Sequence, residues 1–336
     1  MTRTSIEWVR NPGDGSQGFT VNPIRSQNKE TGKVGHYCEK LSPGCKNCYA
    51  SRMQKGPYLS GLEFIAENKD RGELFFDENV LHQVLRRRKP STFFWADCTD
   101  MFGDWVTDDW INRCAATCAL TPWHRHLWLT KRAKRMREYL NQGPFNGYAG
   151  GRTTPILETA KALALKNNYD GYAALGRFAD GPLPNLGLGV SAEDQERADE
   201  RIPDLLATPA AMRFVSVEPM LGAVNLGLLG TLPKDISPQY RATYDLLHWV
   251  IVGGESGPGA RPMHPDWVRS VRDQCQASGV PFFFKQWGEH APEPFAQLTI
   301  QAGQFKPPQG MVRVGKKAAG RILDGRTWDE MPEMLK

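Results

Sequence analysis

Along this chain, short runs of apolar residues alternate with segments in which apolar positions recur every three or four residues. Thr92-Phe93-Phe94-Trp95-Ala96, His126-Leu127-Trp128-Leu129-Thr130, Leu186-Gly187-Leu188-Gly189-Val190-Ser191, Arg213-Phe214-Val215-Ser216-Val217, His248-Trp249-Val250-Ile251-Val252-Gly253-Gly254 and Val280-Pro281-Phe282-Phe283-Phe284-Lys285 are almost wholly apolar. Such runs mark strands buried on both faces of a parallel sheet. Gly18 to Ile24 reads as a further short strand, preceded by an irregular, Gly-rich start and followed by a polar loop from Ile24 to His36. Asp77 to Arg88 carries Val80, Leu81, Val84 and Leu85 on one helical face, with Asp77 as its N-cap. Helices are also predicted from about Asp108 to Leu120, up to about Leu140, from Asp194 to Leu206 and from Pro265 to Ala277.

This alternation predicts an α/β chain whose parallel sheet is covered by helices. No Gly-x-Gly-x-x-Gly opens the first unit, so a dinucleotide fold is not favoured. Polar residues cluster just after the strands, where a β/α barrel carries its active site. The expectation is therefore a partial or complete TIM-like (β/α) barrel over residues 1–288, interrupted by an insertion or lid at about 143–184 with a helical patch from Leu157 to Lys166. A small β-containing C-terminal appendage is expected over residues 289–336.

The 336 residues, 40% of them hydrophobic, are enough for a sizeable core. No run of 18 apolar residues exists, and the first residues lack the apolar segment of a signal peptide. A cytoplasmic protein with no membrane partner is expected. Seven cysteines, an odd number without a secretion signal, argue against a disulfide framework. Cys98, Cys114, Cys118 and Cys275 are scattered, and Cys114 and Cys118, one helical turn apart, read as small buried residues. A net charge of +5 is compatible with a nucleic-acid partner. The runs Arg86-Arg87-Arg88-Lys89, Lys131 to Arg135 and Lys316-Lys317 read equally as DNA-backbone contacts or as solvated faces.

The densest chemistry lies between Tyr37 and Ala50, where Cys38, Cys45 and Cys48 are spaced C-x6-C-x2-C. The turn-forming Ser42-Pro43-Gly44 would fold the loop back so that three sulfurs converge. Three thiolates with no evident fourth ligand leave one coordination position open, and thiolates suit zinc or iron–sulfur clusters. A zinc site completed by His36 is one reading. The first gap is longer than usual zinc spacings, which favours a site-differentiated [4Fe–4S] cluster. At the strand ends, Asp97, Asp100, Ser191, Glu193, Glu218 and Glu255 offer acceptors for an ammonium group or ribose hydroxyls, and Gly253 and Gly254 let backbone approach a ligand. Each acid taken singly reads equally as a helix cap or a surface ion pair. Lys131, Arg132, Arg261 and Lys285 could grip phosphate or carboxylate, or merely solvate. Asp97, Asp100, Lys131 and Lys285 are the candidates for catalysis. The glycine-rich stretch after Gly253 lacks the Gly-Lys-Ser/Thr ending of a phosphate loop.

The cysteine triad followed by Tyr49-Ala50, with Leu129-Thr130-Lys131-Arg132, Gly189-Val190-Ser191-Ala192-Glu193, Arg213 to Gly222, Trp249 to Gly257 and Phe284-Lys285-Gln286-Trp287-Gly288, resembles a phage and prophage gene-product family. That family was long catalogued as a domain of unknown function and is placed with the radical S-adenosylmethionine (SAM) superfamily. The first gap is longer than the superfamily's common C-x3-C-x2-C. The resemblance implies a [4Fe–4S] cluster on Cys38, Cys45 and Cys48 and reductive cleavage of SAM to a 5′-deoxyadenosyl radical. It further implies SAM contacts at Ser191, Glu193, Glu218, Gly253, Gly254 and Glu255, with substrate or nucleic-acid contacts at Lys131, Arg132, Arg261 and Lys285. The implied partners are an electron donor such as flavodoxin or ferredoxin, and DNA. The implied reaction is on a modified nucleobase, such as isomerisation of an amino-acid-substituted thymine from a nitrogen to a carbon linkage. A zinc-dependent hydrolase with a three-cysteine site and a non-catalytic nucleic-acid-binding protein are the alternatives.

Overall fold

The computed structural model describes residues 1–142, 148–149, 152–166, 181–227, 247–293 and 310–336. β1 (Thr2–Arg3) pairs antiparallel with β2 (Phe19–Val21). A separate antiparallel sheet follows, with β3 (Ile24–Asn28) between β4 (Val34–Gly35) and β5 (Gly72–Phe76). The cysteine segment and the short helix α1 (Tyr49–Met53) lie between β4 and β5 in the chain. Strand and helix then alternate through α2 (Glu78–Arg86), β6 (Thr92–Trp95), α3 (Asp108–Leu120), β7 (Arg125–Thr130) and α4 (Ala133–Asn141). A ribbon of β8 (Tyr148–Ala149) and β9 (Arg152–Thr153) leads to α5 (Pro155–Lys166). Next come β10 (Leu186–Ser191), α6 (Gln195–Leu206), β11 (Met212–Val217), β12 (Trp249–Gly253), α7 (Pro265–Ser278) and β13 (Phe282–Gln286). The tail adds β14 (His290–Pro292) paired with β15 (Met311–Arg313), and the one-turn helix α8 (Lys316–Ala319).

The main sheet runs β1-β2-β6-β7-β10-β11-β12-β13, and every pairing after the first is parallel. Its order never reverses. Right-handed crossovers therefore deliver the helices to one face, where Trp95, Trp128, Val190, Val215 and Val252 are buried beneath Leu81, Ile111, Ala198 and Val268. The other face gathers Phe94, Leu127, Phe214, Trp249, Ile251 and Phe283. Trp8 fills its centre, with ring centroids 4.7 Å from Phe94, 5.9 Å from Trp249 and 6.2 Å from Phe214. Leu335 packs into the same cluster from the other end of the chain. Gly187 and Gly189 of β10 make room there, since a Cβ at either would run into Met212 or Phe214 on β11.

The sheet is open, which corrects the expected TIM-like barrel. β1 forms one edge and β13 the other, and no pairing joins them among the described residues. The physical reason lies in two distant segments. The face that a barrel's own strands would fill is instead filled by Trp8 and Leu335. The tail also occupies the β13 edge, through a bridge between Phe283 and Asp329 and a 2.9 Å hydrogen bond from the Phe284 N–H to the Trp328 carbonyl.

One further expectation changes. Ile24 to His36 is a β-hairpin rather than a loop, because Ile24, Ser26 and Asn28 alternate inward despite the segment's polarity. Within the insertion at about 143–184, α5 packs on α3 and joins the helical layer; residues 143–147, 150–151 and 167–180, and with them the rest of the expected lid, lie outside the described residues. Met311, Ala319 and Leu323 of the expected appendage belong to the main core cluster. No helix among the described residues is long and apolar enough to cross a membrane.

Candidate functional site

The segment from Tyr37 to Arg52 roofs the carboxyl ends of the central strands, where ligands bind in open α/β sheets. It is fastened there by hydrogen bonds to strand-end acids. Past β10, the fully buried Glu193 accepts from the Ser42 hydroxyl and from the Gly44 N–H at 3.1 Å. Past β12, Glu255 accepts from Asn47 Nδ2 at 2.9 Å. Past β6, Asp97 accepts from the Tyr49 hydroxyl at 3.0 Å. Arg52 adds a 3.0 Å hydrogen bond to the Ser256 carbonyl. The small residues in Ser42-Pro43-Gly44 matter for this fit, since a Cβ on Gly44 would sit 2.9 Å from Glu193 Oε1.

Four of the five strand-end acids carry a cation of their own. Glu193 Oε2 lies 3.0 Å from Arg201 Nη1 and 3.2 Å from Lys131 Nζ. Burial alone would raise its pKa, but Lys131, the Ser42 hydroxyl and Arg201 outweigh that and hold it at about 2. Glu255 meets Arg261 through two guanidinium nitrogens, at 2.6 and 2.8 Å, and its pKa too is lowered against the opposing effect of burial. Asp100 accepts from Thr130 Oγ1 at 2.6 Å and from the Lys131 N–H and Arg132 Nη1, each at 3.1 Å. Glu218 takes Ser216 Oγ at 3.1 Å and reaches across β12 to Lys285 Nζ, also at 3.1 Å. It crosses above Gly253, where any Cβ would collide with its carboxylate.

Asp97 is the exception. Asn22 Nδ2 donates to it at 2.6 Å and the Tyr49 hydroxyl at 3.0 Å, yet no ion pair reaches it among the described residues. Burial pushes its pKa up despite these donors. The next residue, Cys98, was not singled out in the sequence, but it packs in one small cluster with Cys38 and Cys48. Burial, with Asp97 adding to it, raises the Cys98 thiol well above the usual cysteine range; burial does the same for Cys38. The signal that could have found Cys98 is its position directly after a strand-end acid.

These groups enclose a cavity of about 460 Å³. Cys38, Cys45, Cys48 and Cys98 line it together with Asp97, Asp100, Ser191, Glu218, Gly254 and Glu255, and so do Lys131, Arg132 and Lys285. Three predicted residues stand behind this lining. Glu193 is consumed by its tie to the cysteine segment, Gly253 gives Glu218 passage, and Arg261 clamps Glu255 and donates to the Pro43 carbonyl at 3.0 Å. His36 is not part of the lining; it is buried, its Nδ1 faces the Ile24 carbonyl at 3.5 Å, and burial lowers its pKa to about 4. Trp8, Glu7 and Gln286 also line the cavity, and nothing in the sequence pattern pointed to Trp8 or Glu7.

The chain is thus a mixed α/β protein with a mostly parallel, open sheet and a thiol-lined cavity at the carboxyl ends of its strands. Over residues 27–332 the sequence matches DUF5131, a protein family of unknown function, and the chain belongs to that family. No curated protein and no solved structure matches the chain. These findings correct the resemblance drawn above. The matching family is one of unknown function, no radical SAM family matches, and Cys38, Cys45 and Cys48 do not form a metal-holding group among the described residues.

Proposed function

We propose that the chain is an enzyme that holds a [4Fe–4S] cluster through Cys38, Cys45 and Cys48, uses S-adenosylmethionine, and acts on a modified nucleobase in DNA. The supporting observation is that the three thiols line the same cavity as the strand-end polar groups. The six-residue first gap between Cys38 and Cys45, longer than usual zinc spacings, favours the cluster over zinc. Cys38, Cys45 and Cys48 would hold such a cluster, which, once reduced by an external electron donor, would supply the one electron needed to split the sulfonium of S-adenosylmethionine into methionine and a 5′-deoxyadenosyl radical.

The chain's own residues supply binding, orientation and exclusion of water. Asp97, the acid without a cation, suits a positively charged ligand group. The hydroxyls of Thr130, Ser191 and Ser216 offer neutral hydrogen bonds nearby, although Thr130 and Ser216 already serve Asp100 and Glu218. Trp8, Phe94 and Leu129 give the cavity an apolar wall, which strengthens each polar contact beside it. Around the cysteines, exposed Leu41, Tyr49 and Met53 lie beside exposed Lys40 and Lys46. Apolar contact ringed by positive charge suits an acidic electron donor such as flavodoxin or ferredoxin. The rearrangement proposed for the substrate moves an amino-acid substituent of a thymine from nitrogen to carbon.

Purification without oxygen, followed by iron and sulfide quantification and a 5′-deoxyadenosine assay, tests this reading. A brown protein with iron and sulfide in near-equal amounts that forms 5′-deoxyadenosine supports it. A colourless, sulfide-free protein sinks it, and zinc in its place would turn the reading to a hydrolase. DNA binding that weakens steeply with added salt is expected, and absence of binding at low salt removes the nucleic-acid part.

A further inference from the structure

Six acidic side chains line the cavity, and five of them have a cation beside them. Asp100, Glu218 and Glu255 hold the pairs described above, Glu7 lies 3.3 Å from Lys316 Nζ, and Glu39 lies 3.1 Å from Lys69 Nζ. Asp97 is the sixth, and among the described residues no cation reaches it. The lining cations are occupied as well. Lys131 is held by Glu193, and Arg52 donates to the Ser256 and Pro258 carbonyls at 3.0 and 3.3 Å. Asp97 is open to a ligand, since it is only half-buried and lines the cavity.

The chemistry that Asp97 can still accept follows from its neighbours. A carboxylate offers about four lone-pair sites. Asn22 Nδ2 takes one on Oδ1 at 2.6 Å, and the Asn22 amide is fixed in that sense because its own Oδ1 accepts the Cys98 N–H at 3.1 Å. On Oδ2, the Tyr49 hydroxyl lies at 3.0 Å, shared with the Asp97 carbonyl at 2.8 Å, and the Cys98 thiol lies at 3.7 Å. These donors are neutral, so they orient the carboxylate without cancelling its charge. At least one site, on Oδ1, is left. The guanidinium fork needs two acceptors, whereas an ammonium can donate through a single N–H.

We propose that Asp97 receives a protonated amine carried by the substrate's base, which makes the substrate class a pyrimidine with an alkylammonium substituent. Burial raises the pKa of Asp97, and an ammonium beside it would supply the missing opposite charge. A hydroxyl at the same place would gain only an ordinary hydrogen bond, and an anion there would be repelled. The assignment rests on the nucleobase reading of the substrate but needs neither the cluster nor S-adenosylmethionine.

Equilibrium binding to the full chain, in chelator and without iron, tests the assignment. The probes are 5-(aminomethyl)deoxyuridine and 5-(hydroxymethyl)deoxyuridine, each as the free nucleoside and within a short single-stranded oligonucleotide. At neutral pH the amine should bind about tenfold or more tightly than the alcohol, as a charge-assisted hydrogen bond requires. Asp97→Asn should bring that ratio close to one while leaving affinity for the alcohol within about twofold. The wild-type comparison of the two probes holds even if the variant misfolds. Equal binding of amine and alcohol by the wild type overturns the assignment and leaves the nucleobase reading standing. A preference that survives Asp97→Asn also overturns it, since another group would then read the amine. No binding of any probe at millimolar concentration removes the nucleobase reading and the assignment with it. Weakened binding of S-adenosylmethionine to Asp97→Asn, with the amine preference unchanged, would give the acid to the cofactor and overturn the assignment. If iron and 5′-deoxyadenosine fail to appear while the amine is preferred through Asp97, the assignment stands and the cluster reading falls.

Discussion

Glu193 and Arg201 form a 3.0 Å ion pair in which both side chains are almost wholly withdrawn from solvent, at 0% and 2% exposure. The carboxylate also takes the Ser42 hydroxyl and the Gly44 N–H, so one buried group joins a sheet strand, the helix that follows it and the cysteine segment. Glu193→Gln leaves the buried Arg201 with only the exposed Glu200, 3.7 Å away, as counter-charge and should cost about 3 kcal/mol. Urea unfolding followed by tryptophan fluorescence would measure it, and a loss below about 1 kcal/mol would count against the arrangement.

The same residue sets an acid limit. Its folded pKa is depressed to about 2, so its contribution is complete above the ordinary glutamate value near 4.3 and is lost as pH falls toward about 2. Melting temperature should therefore drop through that window in the wild type. Glu193→Gln should start lower at neutral pH and show a shallower acid decline.

Asp97 has the opposite sign. Its folded pKa is raised, so the stability linked to its proton is present below the ordinary aspartate range and is lost as pH rises through the folded value. Asp97→Asn removes that penalty at neutral pH while keeping the size of the side chain. It should raise the melting temperature by a few degrees and weaken ligand binding, a stability–function trade-off. An unchanged or lower melting temperature would count against a half-buried carboxylate with no cation beside it.

Adjacent glycines give contrasting outcomes. A Cβ at Gly253 meets the flexible end of Glu218, which can swing away from Lys285. Gly253→Ala should therefore fold and lose ligand binding. A Cβ at Gly254 meets the Trp287 carbonyl, which is backbone and cannot yield cheaply. Gly254→Ala should cost about 3 kcal/mol or more, beyond ordinary overpacking. Calorimetry of the two variants side by side checks this.

For metal content, Cys48→Ser should remove most iron and sulfide from a protein prepared without oxygen. Cys98→Ser, which alters a cavity thiol outside the triad, should retain them. Equal loss in both variants would make Cys98 a ligand in its own right.

Local patterning carried much of the architecture. Strand 186–191 and helix 108–120 form at the predicted residues, because their burial is written in nearest-neighbour spacing. Whether the sheet closes was not legible, since that depends on Trp8 and Leu335, which reach the sheet from opposite ends of the chain. The strand-end positions of Asp97, Glu218 and Glu255 were readable from where the apolar runs stop. Their environments were not, because Glu193 finds Arg201 and Glu218 finds Lys285 only through tertiary contact. The hairpin at 24–35 was missed because its inward residues include the polar Ser26 and Asn28.

Carboxylates, not sulfurs, anchor the segment that bears Cys38, Cys45 and Cys48. Oxidation or alkylation of Cys45 or Cys48 would accordingly leave those hydrogen bonds in place. A probe attached at Cys45 or Cys48 would report from the rim of the cavity on a scaffold that keeps its form.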